Sequence, residues 1–257
     1  MSDVLLTEQI DSVLVLTLNR PAARNALSST LIKEFYAALT DADADPEVRV
    51  LVITGADPAF CAGLDLKEAA RNGAAYFGLF ETTDCINRVG KMSKPVLGAV
   101  NGAAFTGGLE IALGCDILIA SERAVFADTH ARVGVLPGGG MTARLPRLVG
   151  PAWARRMSLT GEVVDAQTAE RIGLVTETVP HERLLERTLA MARAMTEVPE
   201  TIASAVRSMY VESAAASLGE ALAIESRIAR SGQLDFELIE ERRIAVTARN
   251  RSQLTSD

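Results

Sequence analysis

Between residues 12 and 127 the chain alternates short apolar β-type runs with short helical ones, and this rhythm constrains its fold more than any single motif. "SVLVLTLN" (12–19) is rich in Val and Leu and stops at Arg20-Pro21, where the residue before proline is steered away from helical dihedrals. "SSTLIKEFYAALTDADAD" (28–45) opens on a serine cap and places apolar side chains at 31, 32, 35, 38 and 39, the spacing of an amphipathic helix. "VRVLVITG" (48–55) reads as a second buried strand ending at Gly55. A helical stretch is expected across 66–93, a strand at "PVLGAV" (95–100) and a short helix at "GGLEIALGC" (107–115). Strands follow at "DILIA" (116–120) and "AVFA" (124–127). The alternation predicts an α/β fold of repeated β-turn-α units.

Past residue 140 the pattern turns helical almost throughout, punctuated by Gly161, Gly173, Pro180 and Pro199. This divides the chain into a core over 1–200 and a helical C-terminal region over 201–257. The broad apolar faces of the late helices are suited to covering the core or a neighbouring subunit. Two glycines inside "ARNGAAYFGLF" (70–80) interrupt a helical pattern and predict a weak stretch there.

With 257 residues, 48% of them hydrophobic and 23% charged, the chain has the composition of a soluble globular protein. A net charge of −7 argues against a general nucleic-acid binder, which presents a basic face. Only four of the 26 basic residues are lysines, so phosphate contacts would lean on arginine and backbone N–H groups. Cys61, Cys85 and Cys115 are odd in number and lack CxxC spacing, which predicts reduced thiols in a cytoplasmic protein and no metal site. The first twenty residues carry acidic side chains and no basic n-region, unlike a signal peptide. No apolar run approaches the ~20 residues of a membrane span.

Three segments could carry chemistry. In "ADPAFCAGLDLKEA" (56–69) a strand runs through a glycine turn into a helix, and N–H groups at such corners can hold an anionic oxygen. Taken alone, this is also how a plain turn capped by Asp65 would look. In "NGAAFTGGLEIALGCD" (101–116) Gly107-Gly108 opens a helix whose first turn holds Glu110 among apolar neighbours. A carboxylate buried there needs a partner or a task, and burial would raise its pKa into a useful range. In "FADTHARVGVLPGGG" (126–140), three glycines again precede a helix, and His130 is one of only two histidines. By itself His130 reads as a satisfied structural histidine, and Asp128 and Thr129 as caps of a one-turn helix.

Taken together, these blocks resemble the crotonase superfamily, the enoyl-CoA hydratase/isomerase family. The resemblance runs in family order through "VLTLNRPAARNALSSTL" (14–31), "ITGADPAFCAGLDLKE" (53–68), "KPVLGAVNGAAFTGGLEIALGCDILIA" (94–120) and "FADTHARVGVLPGGGMTARLPRLVG" (126–150), and more weakly through 159–180. It implies a spiral of ββα repeats with a C-terminal helical region that assembles a homotrimer or a dimer of trimers. It also implies an acyl-CoA thioester substrate, with coenzyme A entering as part of the substrate and no separate cofactor. By the same resemblance, the backbone N–H groups of Leu64 and Gly107 form an oxyanion hole. Arg24, Ala62, Asp65, Leu66, Lys67 and Gly138 fall where the family contacts coenzyme A and the acyl group.

One position departs from the pattern. Family hydratases hold water between two glutamates; the first matches Glu110, and the second falls on His130. An imidazole, with an unperturbed pKa of about 6.5, can accept or donate a proton near neutrality. A Glu110–His130 pair could therefore act as base and acid in adding water to an enoyl-CoA, with Asp128 orienting the ring and Met141 reshaping the pocket. Isomerisation or another enolate-forming lyase or decarboxylase reaction would need only one of the two. A non-catalytic acyl-CoA-binding subunit would need neither.

Overall fold

The computed structural model describes residues 3–232 together with 236, 239–240, 242–243 and 246–247. Ten strands appear among them: β1 (Leu5–Ile10), β2 (Val13–Leu18), β3 (Val50–Gly55), β4 (Ala59–Cys61), β5 (Val96–Val100), β6 (Ala103–Phe105), β7 (Ile117–Ser121), β8 (Val125–Ala127), β9 (Val164–Asp165) and β10 (Glu177–Val179). They form two sheets, one of six strands in the order β1-β2-β3-β5-β7-β10 and one of four in the order β4-β6-β8-β9. Pairing is parallel except for the β1–β2 hairpin and the β8–β9 contact.

Each turn of the chain lays one long strand in the first sheet, one short strand in the second, and then a helix. β3, β4 and α2 (Leu66–Asn72) make one such turn; the α2 helix follows α1 (Ser29–Ala44) in the chain. Three further short helices, α3 (Ala74–Phe77), α4 (Leu79–Thr82) and α5 (Cys85–Val89), complete that turn's outer wall. β5, β6 and α6 (Gly107–Gly114) make the next, and β7, β8 and α7 (His130–Val133) the third. This is the expected crotonase-like spiral of ββα repeats, with the second strand of each repeat only three residues long. Strands that short carry no readable period, so β4 and β6 were not legible as strands in the sequence.

The parallel strands of the large sheet are buried on both faces, as covered parallel sheets are. Val13, Val15, Val50, Val52, Leu97 and Ala99 point one way, against Leu184, Leu189 and Ala192 of a later helix. Leu16, Leu18, Leu51, Ile53, Val96 and Val100 point the other way, into the main core with Leu31, Ile32, Phe35 and Leu39 of α1. Ser28 caps α1 through its hydroxyl, as its sequence indicates. The buried Lys94 side chain donates to the carbonyl of Ala42 at the other end of that helix, 2.8 Å away.

The single helical stretch expected over 66–93 is four short helices, broken at Gly73 (φ 52°), Gly78 and Thr83. Tyr76 anchors this broken wall: it is buried, and its hydroxyl donates to the carbonyl of Leu27 and accepts from Asp65 N–H. Beyond the third repeat come α8 (Met141–Thr160), interrupted at Gly150-Pro151, then α9 (Ala166–Arg171), α10 (Leu184–Thr196) and α11 (Glu200–Ser213). The second histidine, His181, is structural. Its Nδ1 meets Ser121 Oγ and its Nε2 meets Asp57 Oδ2, both at 3.0 Å.

The first compact unit spans Met1–Arg207, and a second begins at Ser208. The second contains α12 (Leu218–Ser231), which opens on a capping box formed by Ser217 and Glu220. The helical pattern of 233–253 lies, apart from the few residues named above, outside the described residues.

Candidate active site

The three chemistry-bearing segments occupy equivalent places in three successive repeats. β4, β6 and β8 lie side by side, with Cys61 opposite Ala104 and Phe105 opposite Ala127. Their carboxyl ends therefore emerge together, and the residues just beyond them are Leu64, Gly107 and His130. Crevices at the carboxyl ends of parallel strands are where α/β folds place ligands.

The first two segments touch through glycine. Gly63 has φ of 92°, and a Cβ there would lie 1.9 Å from Thr106 Oγ1 and 3.2 Å from Gly107 N. Thr106 itself has φ of 47° and ψ of −117°, a costly conformation for a β-branched residue, and it turns the chain into α6. The bridge between Leu27 and Leu64 uses Leu27 N–H to Gly63 C=O (2.8 Å) and Asp65 N–H to Leu27 C=O (3.3 Å). Leu64's own N–H is not engaged in that bridge, and Gly107 N–H belongs to the first turn of α6, where no intrahelical acceptor exists. Two such donors on adjoining loops can hold an oxygen on which negative charge develops.

Glu110, only 2% exposed, projects from the first turn of α6. Its Oε1 accepts from Gly139 N–H (2.8 Å) and Met141 N–H (3.1 Å). The glycine run before α8 thus supplies an N–H to the carboxylate. Gly139 must be glycine for this approach, since a Cβ would sit 2.7 Å from Glu110 Oε2 and 2.4 Å from Ile86 Cγ2. Met141 contributes its N–H, while its side chain is buried in the main core. Burial pushes the Glu110 carboxyl above its ordinary range, outweighing the opposing pull of His130 and the two N–H donors.

His130, 5% exposed, presents Nε2 to the free Oε2 of Glu110 at 3.7 Å, a span that one water can bridge. Its other nitrogen, Nδ1, meets Asp128 Oδ1 at 2.6 Å, and the same oxygen accepts His130 N–H at 3.2 Å. Asp128 precedes the Thr129 N-cap of the one-turn α7, and the chain turns there so that its carboxylate reaches both the backbone N–H and the ring of His130. Burial acts upward on Asp128, but the hydrogen bonds from His130 and Ser158 outweigh it and hold the carboxyl below its ordinary value. Glu110, His130 and Asp128 therefore form one buried line.

Two adjoining cavities share Leu64, His130 and Val135 as a common wall. The larger, about 210 Å³, is also lined by Phe77, Phe80, Asp84, Ile86, Glu110, Leu136, Gly138 and Gly139. The smaller, about 50 Å³, is lined by Ala62, Leu66, Thr106, Thr129 and Val133. Ala62 and Leu66 line the smaller cavity and Gly138 the larger. Arg24 and Lys67 are exposed and line neither; the Arg24 carbonyl is tied to Ala62 N–H at 3.0 Å. Asp65 is engaged within the protein: it caps α2 through Glu68 N–H and pairs with Arg20 at 3.0 Å. Phe77, Phe80, Asp84 and Ile86 escaped the sequence reading because a broken run of short helices has no period to mark its inner face.

A family profile described as Enoyl-CoA hydratase/isomerase matches residues 8–237. A probable enoyl-CoA hydratase, echA8 of Mycobacterium bovis, is 38% identical over 232 residues covering 89% of each chain. Among solved structures, an enoyl-CoA hydratase from Mycobacterium smegmatis is 49% identical, with a TM-score of 0.74 over 90% of this chain and 98% of that one. A probable enoyl-CoA hydratase/isomerase from Mycobacterium abscessus is 31% identical and superposes with a TM-score of 0.84 over 97% and 96% of the two chains. The chain belongs to the enoyl-CoA hydratase/isomerase family, that is, to the crotonase superfamily.

Proposed function

We infer that the protein is an enoyl-CoA hydratase in which Glu110 and His130 hold and activate the water. The observation that carries this reading is the 3.7 Å gap between Glu110 Oε2 and His130 Nε2 on the lining of the larger cavity. In this reading, Leu64 and Gly107 N–H groups hold the thioester oxygen. The enoyl chain lies in the larger cavity, and the pantetheine arm passes Ala62 and Leu66 in the smaller one. Arg24 and Lys67 stand outside to meet phosphates, and Asp65 acts by holding the start of α2 against Arg20. Coenzyme A enters as part of the substrate, and the protein's task is charge stabilisation and proton transfer.

The step balances as follows. The water oxygen bonds to the β-carbon while Glu110 takes one of its protons. The π-electrons move to the α-carbon and thioester oxygen, where the two N–H groups stabilise the charge. His130 enters the step as the imidazolium, Nδ1–H on Asp128, and gives its Nε2 proton to the α-carbon; Glu110 later returns its proton to the neutral Nε2 across the same gap. Asp128 is a positioning residue: a carboxylate on Nδ1 fixes which ring nitrogen faces the substrate.

The apolar residues exposed on the second unit, Tyr210, Val211, Leu218 and Leu222, support its assembly into a trimer or a dimer of trimers. Three free cysteines support a cytoplasmic location, and no helix of the described residues is long and apolar enough to cross a membrane.

Hydration of short, medium and long enoyl-CoAs by wild type, Glu110→Gln and His130→Ala tests the reading. Hydration by wild type and a loss of about 10²-fold or more in each variant are expected. Absence of hydration of every chain length refutes it. Retained double-bond migration in only one of the variants would identify an isomerase.

A further inference from the structure

The acyl cavity carries a charge that the hydration chemistry does not use. Asp84 lines it together with Phe77, Phe80 and Ile86, and does not line the smaller cavity of Ala62 and Leu66. An acyl chain anchored by its thioester at Leu64 and Gly107 and by its β-carbon at Glu110 shares the cavity with these side chains. With Glu110, Asp84 makes two carboxylates on the lining, and no lysine or arginine stands among the lining residues. Arg144 is the nearby cation, but it lies outside the cavity. A Cβ on Gly90 or Gly114 would stand 2.3 Å from its Nη2 or 3.0 Å from its Nη1, and its Nη1 is buried without a hydrogen-bond partner.

We propose that Asp84 is a specificity-determining residue that restricts the enzyme to acyl chains with an uncharged tail and rejects those ending in a carboxylate. An anionic tail would be brought out of water to face Asp84 across apolar walls, with no lysine or arginine on the lining to receive it. An uncharged alkyl or alkenyl tail meets Phe77, Phe80 and Ile86 instead. Asp84 is also held firmly enough to act as a fixed charge. Its Oδ1 accepts from Asn87 N–H at 3.0 Å and its Oδ2 from Asn87 Nδ2 at 2.7 Å. Asn87 in turn donates to the carbonyl of Gly138, which also lines the cavity, at 3.2 Å.

The inference rests on the reading of this cavity as an acyl-CoA site, and the test separates the two. Asp84 caps α5, and asparagine is an equally good cap of the same shape, so Asp84→Asn removes the charge and keeps the helix start. Binding of hexanoyl-CoA and of adipyl-CoA, saturated esters that need no catalysis, is measured by calorimetry on wild type and Asp84→Asn. Wild type is expected to prefer hexanoyl-CoA by roughly 20- to 100-fold, the scale of two like charges about 6 Å apart at intermediate dielectric. In Asp84→Asn that ratio is expected to fall at least about 5-fold. Equal binding of both esters by wild type overturns the proposal and leaves the acyl-CoA reading standing, as does an unchanged ratio in the variant. Binding of neither ester overturns both.

Discussion

Replacing Asp128 by asparagine tests whether the buried line Glu110–His130–Asp128 is a catalytic device or a packing detail. The substitution keeps the shape of a side chain that is 1% exposed, and removes the charge at 2.6 Å from His130 Nδ1. It also lets an amide NH₂ face the ring, so that the nitrogen presented to Glu110 is no longer specified. A buried hydrogen bond to a charged group contributes about 1.5–3 kcal/mol, which corresponds to roughly 10- to 150-fold in rate if it is felt in the transition state. The expected result is a fall of that size in kcat for crotonyl-CoA hydration, followed by loss of the enoyl thioester absorbance, with KM moving by less than about 3-fold. Packing damage would lower the thermal midpoint instead and leave kcat per folded enzyme alone. A second background sharpens the test. In His130→Glu, Asp128 faces another carboxylate, and two acids that close cannot both ionise cheaply. There Asp128→Asn is expected to raise activity, reversing its sign. A kcat within 2-fold of wild type in the single variant, or the same sign in both backgrounds, refutes the argument.

Glu110→Gln bears on stability as well as rate. Burial raises the folded-state pKa of Glu110 above 4.5, so the folded protein holds its proton more tightly than the unfolded chain does. The wild-type carboxylate therefore costs stability increasingly as pH rises from about 4.5 through the folded value. Thermal melts should show Glu110→Gln gaining on wild type across that window and matching it in acid; a constant difference at all pH values contradicts this. Asp128 has the opposite sign, its folded pKa lying below 3.8, so its contribution is lost only in strong acid, and urea unfolding of wild type and Asp128→Asn should converge there. Gly63→Ala should destabilise by about 1–3 kcal/mol and lower kcat, because its Cβ meets Thr106 Oγ1 at 1.9 Å and the positive φ is lost to it. A fully active, equally stable Gly63→Ala would show that the two loops need not touch.

The long strands and α1 were legible because each is long enough to show its period and its cap. Val13, Val15, Val50 and Val52 alternate with Leu16, Leu51 and Ile53 between two buried faces, which is what an uninterrupted apolar run means in a parallel sheet. β4 and β6 hold three residues each, and β9 two, too few for any period, while β8, no longer, was legible only as the apolar run "AVFA". Yet these short strands are what bring residues 64, 107 and 130 together. The glycines at 63, 107–108 and 138–140 marked turns into helices with free N–H groups, but which partner each serves is a tertiary fact. The run before α8 proved to serve Glu110, and the wall holding Asp84 showed in the sequence only as the two glycines that break its helical pattern.

The geometry also explains why a histidine at position 130 is not an isolated change. A glutamate there would bring its own charge and need no partner to choose which atom faces the water. An imidazole has two inequivalent nitrogens, and here Nδ1 lies on Asp128 while Nε2 faces Glu110. Asp128 opposite a glutamate would instead place two acids in contact within a buried pocket. Positions 128 and 130 are therefore energetically coupled, and either substitution made alone passes through a worse site than both made together. Glu110 stands outside this constraint, because Gly139 and Met141 N–H groups hold one of its oxygens whatever occupies position 130.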